Sequence, residues 1–244
     1  MSKFALIGKR LDYSFSKAFF TDYFNENGLD SSYENIEITT IDEVKTYLHS
    51  GEFSGFNVTI PYKESIILFL DELSTEAAVI GAVNTISYKN GKLVGHNTDA
   101  FGFHQSIKPF LTNKHERALI LGTGGASKAV AYVLQNIGID VLYISRTPNG
   151  SKHFAYSEIN KHMLSACKLV VNCTPVGTFP NVDETPEIPI QFLGSEHLVV
   201  DLIYNPEKTK LLLEAEKQGA AILNGYSMLK EQALKAWDIW NKGL

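Results

Sequence analysis

Long apolar runs, cysteine and clustered basic charge are all scarce in this chain, and each shortage excludes something. No run approaches the length of a membrane helix. The apolar stretch within Met1–Arg10 is too short for a signal peptide. A cytoplasmic protein is therefore expected, and the Asn-x-Thr triplets at Asn57 and Asn172 carry no weight as glycosylation acceptors. The 244 residues include two cysteines, Cys167 and Cys173. They fall at a helix end and in a strand, which fits reduced, buried thiols. A formal net charge of −5, with no dense Lys/Arg stripe, excludes broad nucleic-acid binding. The seven histidines are scattered without ligand spacing, so no metal site is expected. No internal repeat or low-complexity segment is present. What remains is an ordinary globular composition, 44% hydrophobic and 20% charged, sufficient for one large domain or two modest ones.

The most informative stretch runs from Ala118 to Leu134. Ala118 to Leu121 is a short apolar run of the kind that forms a buried parallel strand. Gly122, Gly124 and Gly125 follow, then a small-residue helix from Ala126 to Asn136, closed by Gly138. A Gly-rich turn from strand to helix aims backbone N–H groups and a positive helix end at one spot, which suits a phosphate. Ser127 takes the third place of the dinucleotide fingerprint, where Gly or Ala is usual. A tight turn in any βαβ unit has the same pattern. Ile139 to Ser145 reads as the next buried strand, and Arg146 with Thr147 follows where a ribose is read. A cation and a hydroxyl there suit a 2′-phosphate and favour NADP over NAD, although an exposed arginine is also an ordinary surface residue.

The first third alternates strand and helix: Lys3–Gly8, Ser16–Asn27, Ser32–Ile38, then a capping box at Thr40–Glu43 that opens a short helix. Ser14 and Ser16 fall at a helix N-terminus, where a hydroxyl can cap the helix or meet a carboxylate. Phe56–Ile60 reads as a strand. Pro61 then suits a first helical turn, so a helix is predicted from Tyr62 towards Leu73 with Lys63 at its start. A lysine there opposes the macrodipole, which invites a functional explanation beside the plain surface one. Ser74–Ile80 reads as a short helix. A hairpin turns at Asn90-Gly91, with Asn84 in its first strand, and Asp99 begins a helix over 100–111 that it could simply cap. After Thr147 the segment is short and polar, with a brief helix within 156–166. Strands at 168–172, 197–201 and 221–223, a loop over 178–193 and helices at 209–218 and 227–240 complete the chain. The fold class is therefore α/β: an N-terminal α/β unit and a Rossmann-like doubly wound unit, with a cleft between them. Ser14, Thr59, Lys63, Asn84 and Asp99 all follow or end strands, where ligands bind in such sheets.

Taken together these strings resemble the shikimate dehydrogenase family almost end to end. The carrying residues are Ser14-x-Ser16, Asn57–Lys63, Gly81–Thr85, Asn97–Asp99, Gly122–Ala126, Asn172–Pro175 and Met228–Ala233. The resemblance implies NADPH-dependent reduction of 3-dehydroshikimate to shikimate, on the route through chorismate to aromatic amino acids. It implies a substrate-binding catalytic domain over 1–99, completed by the helix 226–244, and an NADP-binding domain over 100–225. Lys63 and Asp99 would be the catalytic pair. Ser14 and Ser16 would hold the substrate carboxylate, and Thr59, Asn84, Tyr204 and Gln232 the ring hydroxyls. Gly122, Gly124, Gly125 and Ala126 would take the pyrophosphate, and Arg146 and Thr147 the 2′-phosphate. Thr174, Ile203, Gly225 and Met228 complete the implied cofactor site. The partner is a small molecule, the protein a monomer or homodimer. Tyr13, Lys17, Ser145 and Thr178 depart from residues usual in the family. A quinate or broad-specificity relative and a non-catalytic NADP or metabolite sensor are the competing readings. The joint presence of Lys63 and Asp99 argues against the sensor.

Overall fold

A computed structural model describes residues 1–12 and 14–241. Tyr13 and the last three residues of the 226–244 segment lie outside the described residues. Contacts divide the chain into two compact units, Met1–Phe101 with Gln232–Leu244, and Gly102–Glu231.

The first unit comprises β1 (Ser2–Gly8), α1 (Phe15–Glu26), β2 (Ser31–Glu37), α2 (Val44–Leu48), β3 (Gly55–Val58), β4 (Glu72–Leu73), α3 (Thr75–Ile80), β5 (Thr85–Lys89), β6 (Lys92–His96) and the start of α4 (Thr98–Ile107). Its sheet has the order β2-β1-β3-β5-β6-β4. β1 pairs in parallel with both β2 and β3, whereas β5 is antiparallel to β3 and to β6. The period-two alternation of β1 fills both faces. Phe4 and Leu6 join Phe20, Phe24, Tyr33 and Trp240 on one side, and Ala5 and Ile7 join Ile36, Val58 and Ile86 on the other. The far end of the chain returns to this unit through Trp240, whose Nε1–H donates to the Ile86 carbonyl at 3.0 Å. Gly55 makes room for that indole, because a Cβ there would collide with it.

The second unit contains β7 (Arg117–Leu121), α5 (Gly125–Asn136), β8 (Asp140–Ile144), β9 (His153–Phe154), α6 (Lys161–Ala166), β10 (Leu169–Asn172), β11 (Leu198–Asp201), α7 (Lys210–Lys217), β12 (Ala221–Leu223) and the start of α8 (Tyr226–Asn241). The sheet order β12-β11-β10-β7-β8-β9 is parallel throughout. This is the doubly wound arrangement, and the strand order reverses between β7 and β10. Leu119, Leu121, Val170 and Val199 pack with Leu211 and Leu212 in one core.

The predicted helix from Tyr62 is not formed. Pro61, joined to Ile60 by a cis peptide bond, lies in a turn, and Lys63 follows in the next turn ahead of a 3-10 segment at Ser65–Phe69. Sheet pairing wins over helix there. Asp71 N–H donates to the Leu93 carbonyl, its carboxylate accepts from Leu93 N–H, and β4 runs parallel to β6. Lys63 therefore opposes no helix dipole. Asn84 precedes β5 rather than lying within it, and α4 begins at Thr98, with a 3-10 turn at Lys108–Phe110. The segment after Thr147 supplies the short strand β9 ahead of α6.

Candidate active site and cofactor cradle

Topology places the candidate residues of the first unit along one edge of its sheet. Ser14 and Ser16 follow the carboxyl end of β1, and Thr59 and Lys63 follow that of β3. Asn84 enters β5, which runs the other way, and Asp99 follows β6, which turns back again. All six reach the same edge, and the strand order reverses there between β1 and β3.

At the centre, Lys63 Nζ lies 2.6 Å from Asp99 Oδ2, with the side chains 15% and 8% exposed. Asp99 is in the first turn of α4, where the helix dipole favours an anion. Its other oxygen accepts from Asn84 Nδ2 at 2.9 Å. Asn84 is held in turn by Thr98, whose backbone N–H donates to Oδ1 at 2.7 Å, and Asn84 Nδ2 is 3.4 Å from Gln232 Oε1. The Lys63 carbonyl accepts from Val83 N–H at 2.7 Å, tying the lysine turn to the segment that carries Asn84. Ser14 is the N-cap of α1, yet its hydroxyl makes no capping bond and is buried without a partner. Ser16 is buried close to the Tyr33 hydroxyl. A helix N-terminus whose cap side chain makes no capping bond, with no acidic residue in its first turn, makes a seat for a carboxylate.

The second unit gathers its candidates at the carboxyl ends of its parallel strands. Gly122, with φ +101°, turns from β7 towards α5, and a Cβ there would press on Thr174 at 3.0 Å. Gly124 is the N-cap of α5 with nothing near its missing Cβ. Gly125 and Ala126 open the helix, and the Ser127 hydroxyl donates to the Gly124 carbonyl at 2.6 Å, so a serine fits the third fingerprint position. Arg146 and Thr147 are exposed just beyond β8. Gly225 N–H donates to the Ile203 carbonyl at 3.0 Å, and a Cβ on Gly225 would run into the Leu202 backbone. Met228 is buried in the first turn of α8. Tyr204, on the loop after β11, belongs to this unit and not to the one carrying Ser14 and Lys63. An open glycine cradle at a helix N-terminus, followed by an exposed arginine beyond the second strand, fits a dinucleotide with a 2′-phosphate.

Several residues of these sites carry no role in the sequence reading. Tyr33, Asn57 and Thr85 form a buried polar core under the Lys63–Asp99 pair. In the second unit Asp201, fully buried, accepts from Asn172 Nδ2, Ile203 N–H and the Thr209 hydroxyl, while Asn172 Oδ1 accepts from the Thr174 backbone and hydroxyl. Burial pushes Asp201 up to about 6 despite these donors. The available signal was a polar residue at the end of an apolar run, which must find partners once buried.

A doubly wound sheet with a glycine cradle, in one chain with a buried lysine–carboxylate pair, defines the class of nicotinamide-dependent dehydrogenases. The family described as shikimate dehydrogenase substrate binding domain matches residues 6–86. The shikimate dehydrogenase (NADP(+)) of Clostridium botulinum is 36% identical over 245 residues, covering 96% of this chain and 95% of that protein. The chain belongs to the shikimate dehydrogenase family. Among solved structures, shikimate 5-dehydrogenase from Thermus thermophilus in complex with NADP(H) and shikimate has a TM-score of 0.88 at 33% identity, covering 99% of this chain and 94% of that one. Quinate dehydrogenase from Corynebacterium glutamicum in complex with NAD has a TM-score of 0.87 at 27% identity, with coverage of 99% and 94%. Among the described residues, no helix is long and apolar enough to cross a membrane, and no group of three or more His, Cys, Asp or Glu could hold a metal ion.

Proposed function

We propose that Lys63 and Asp99 are the catalytic pair of this NADP-dependent shikimate dehydrogenase. The enzyme reduces 3-dehydroshikimate reversibly to shikimate, a step towards chorismate and the aromatic amino acids. NADPH, when bound, supplies the hydride. A ketone that receives it becomes an alkoxide and needs both a positive partner and a proton. The Lys63 ammonium has three N–H bonds and spends one on Asp99, leaving others to polarise the carbonyl oxygen and donate to it. In the reverse direction the Lys63 amine takes the proton back. Asp99 holds the lysine and is itself held by Asn84.

Ser14 and Ser16 receive the substrate carboxylate at the start of α1. The unpartnered Ser14 hydroxyl supports this assignment. Thr59, Asn84, Gln232 and Tyr204 take the ring hydroxyls. Gly122, Gly124, Gly125 and Ala126 seat the pyrophosphate, and Arg146 with Thr147 the 2′-phosphate; Thr174, Ile203, Gly225 and Met228 line the rest of the cofactor site. On this reading residues 1–99 with the closing helix bind substrate, and 100–225 bind NADP. Free Cys167 and Cys173 suit work in the reducing cytoplasm.

The observation that carries the proposal is the 2.6 Å ion pair between two largely buried side chains at the carboxyl edge of the sheet. Its test is Lys63→Ala. Loss of a positioned proton donor should lower kcat about 10³-fold, with the far-ultraviolet circular dichroism and the KM for NADP unchanged. A folded variant within tenfold of the parent kcat would remove Lys63 from the chemistry.

A further inference from the structure

Beneath the ion pair lies a run of buried hydrogen bonds in which backbone groups fix the orientation of both amides. Asn57 Nδ2 is 3.1 Å from the Asn84 carbonyl, which can only accept, so the amide nitrogen of Asn57 must face it. The Asn57 oxygen then faces Tyr33, and the Tyr33 hydroxyl donates to it at 2.7 Å. With its proton committed there, the Tyr33 oxygen is left to accept, and the Ser16 hydroxyl lies close to it. On the other side, Thr98 N–H can only donate, so Asn84 Oδ1 must face it, and Asn84 Nδ2 is left to donate to Asp99. Thr85 links the two amides: its hydroxyl accepts from Asn57 Nδ2 at 3.1 Å and has Asn84 Oδ1 and the Thr98 hydroxyl each at 3.2 Å to donate to. With the Thr85 proton on Asn84, the series Tyr33, Asn57, Thr85, Asn84, Asp99 has every donor pointing the same way and ends on the carboxylate that holds Lys63.

We propose that Tyr33 is a positioning residue for the reaction, its hydroxyl ordering the Ser16 end of the site and, through Asn57, Thr85 and Asn84, the Asp99 carboxylate. The proposal rests on the reading that Ser16 meets the substrate and that Lys63 and Asp99 act on it. Neither amide can flip without turning two like groups on each other, because a backbone carbonyl pins one and a backbone N–H pins the other. The whole run is buried, so water does not repair a missing link. Burial raises the Tyr33 phenol, which keeps it a donor at any working pH. Its ring is held independently of the hydroxyl, stacked on Phe20 at 4.6 Å.

Tyr33→Phe keeps that ring and removes only the link. Thr85→Val, isosteric and further along the run, leaves the Ser16–Tyr33–Asn57 end intact. Steady-state kinetics of the purified proteins, with parent turnover of shikimate by NADP measured first, separate the outcomes. Tyr33→Phe should lower kcat about tenfold and raise the KM for shikimate severalfold, whereas Thr85→Val should lower kcat alone. The KM for NADP should stay within twofold in both. The double variant should fall no further in kcat than the worse single one, because both changes cut the same series. Where Tyr33→Phe fails to fold, the kcat of Thr85→Val decides. A parent that turns over shikimate beside folded variants within twofold of it overturns the proposal, and so do losses that multiply in the double variant. A parent without turnover overturns the underlying reading and the proposal with it.

Discussion

A buried carboxylate can be anchored or mobile, and Asp99 and Asp201 are both anchored, for different ends. Asp99 accepts from Lys63 and Asn84 in the proposed catalytic pair. Asp201 accepts from Asn172, Ile203 and Thr209, and so ties the loops after β10 and β11 to the start of α7. Burial pushes Asp201 up to about 6 from its ordinary value of 3.8. In that interval the folded protein holds a proton that the unfolded chain has released. The stability this group contributes is complete below about 3.8 and is lost as the pH rises through about 6. We predict that from this group alone the parent is less stable at pH 7 than at pH 5 by on the order of 1 kcal/mol. Asp201→Asn should flatten that slope, as read from urea midpoints at the two pH values. An unchanged slope in the variant would show that Asp201 does not titrate there.

Among the elements, the turns into α8 and into α5 separate folding from binding most cleanly. Gly225 and Gly124 make the contrast. A Cβ at Gly225 meets the Leu202 backbone, so Gly225→Ala should cost about 1–3 kcal/mol of stability. Gly124 has an ordinary φ of −81° and open space around it. Gly124→Ala should therefore leave the melting temperature nearly unchanged while raising the KM for NADP at least tenfold, because the methyl group enters the space proposed for the phosphates. A normal KM in that variant would move the cofactor elsewhere. The strands of this unit were legible because apolar runs such as Ala118–Leu121 admit one reading when glycine follows. The segment from Pro61 to Leu73 was not: its apolar residues suit a helix locally, and pairing of Glu72–Leu73 with β6, a partner some twenty residues away, decided otherwise. The two-residue strand β9 was hidden for the same reason, since register is a long-range property. At the site, residues in short recognisable strings were visible. Tyr33 was not, because a buried hydroxyl and an exposed one look alike in sequence, and Thr85 stood in one of those strings without a role of its own.

At the scale of the whole molecule, the chain makes two compact units from three pieces, because α8 begins in the second unit and ends in the first. The proposed division of labour gives substrate to one and NADP to the other. Arg146 and Thr147 beyond β8, with no acidic residue beside them, favour a cofactor with a 2′-phosphate. Of the solved structures this chain is similar to, one holds NADP(H) with shikimate and another, a quinate dehydrogenase, holds NAD. One measurement decides where this chain belongs: the rate of NADP reduction by the purified protein with shikimate, set against the same rate with quinate and with NAD. Rapid turnover with shikimate and NADP, at least about a hundredfold above either alternative in kcat/KM, is the predicted result, a margin of about 2.7 kcal/mol. Comparable rates with quinate or NAD, or binding of shikimate and NADPH without turnover, would contradict it.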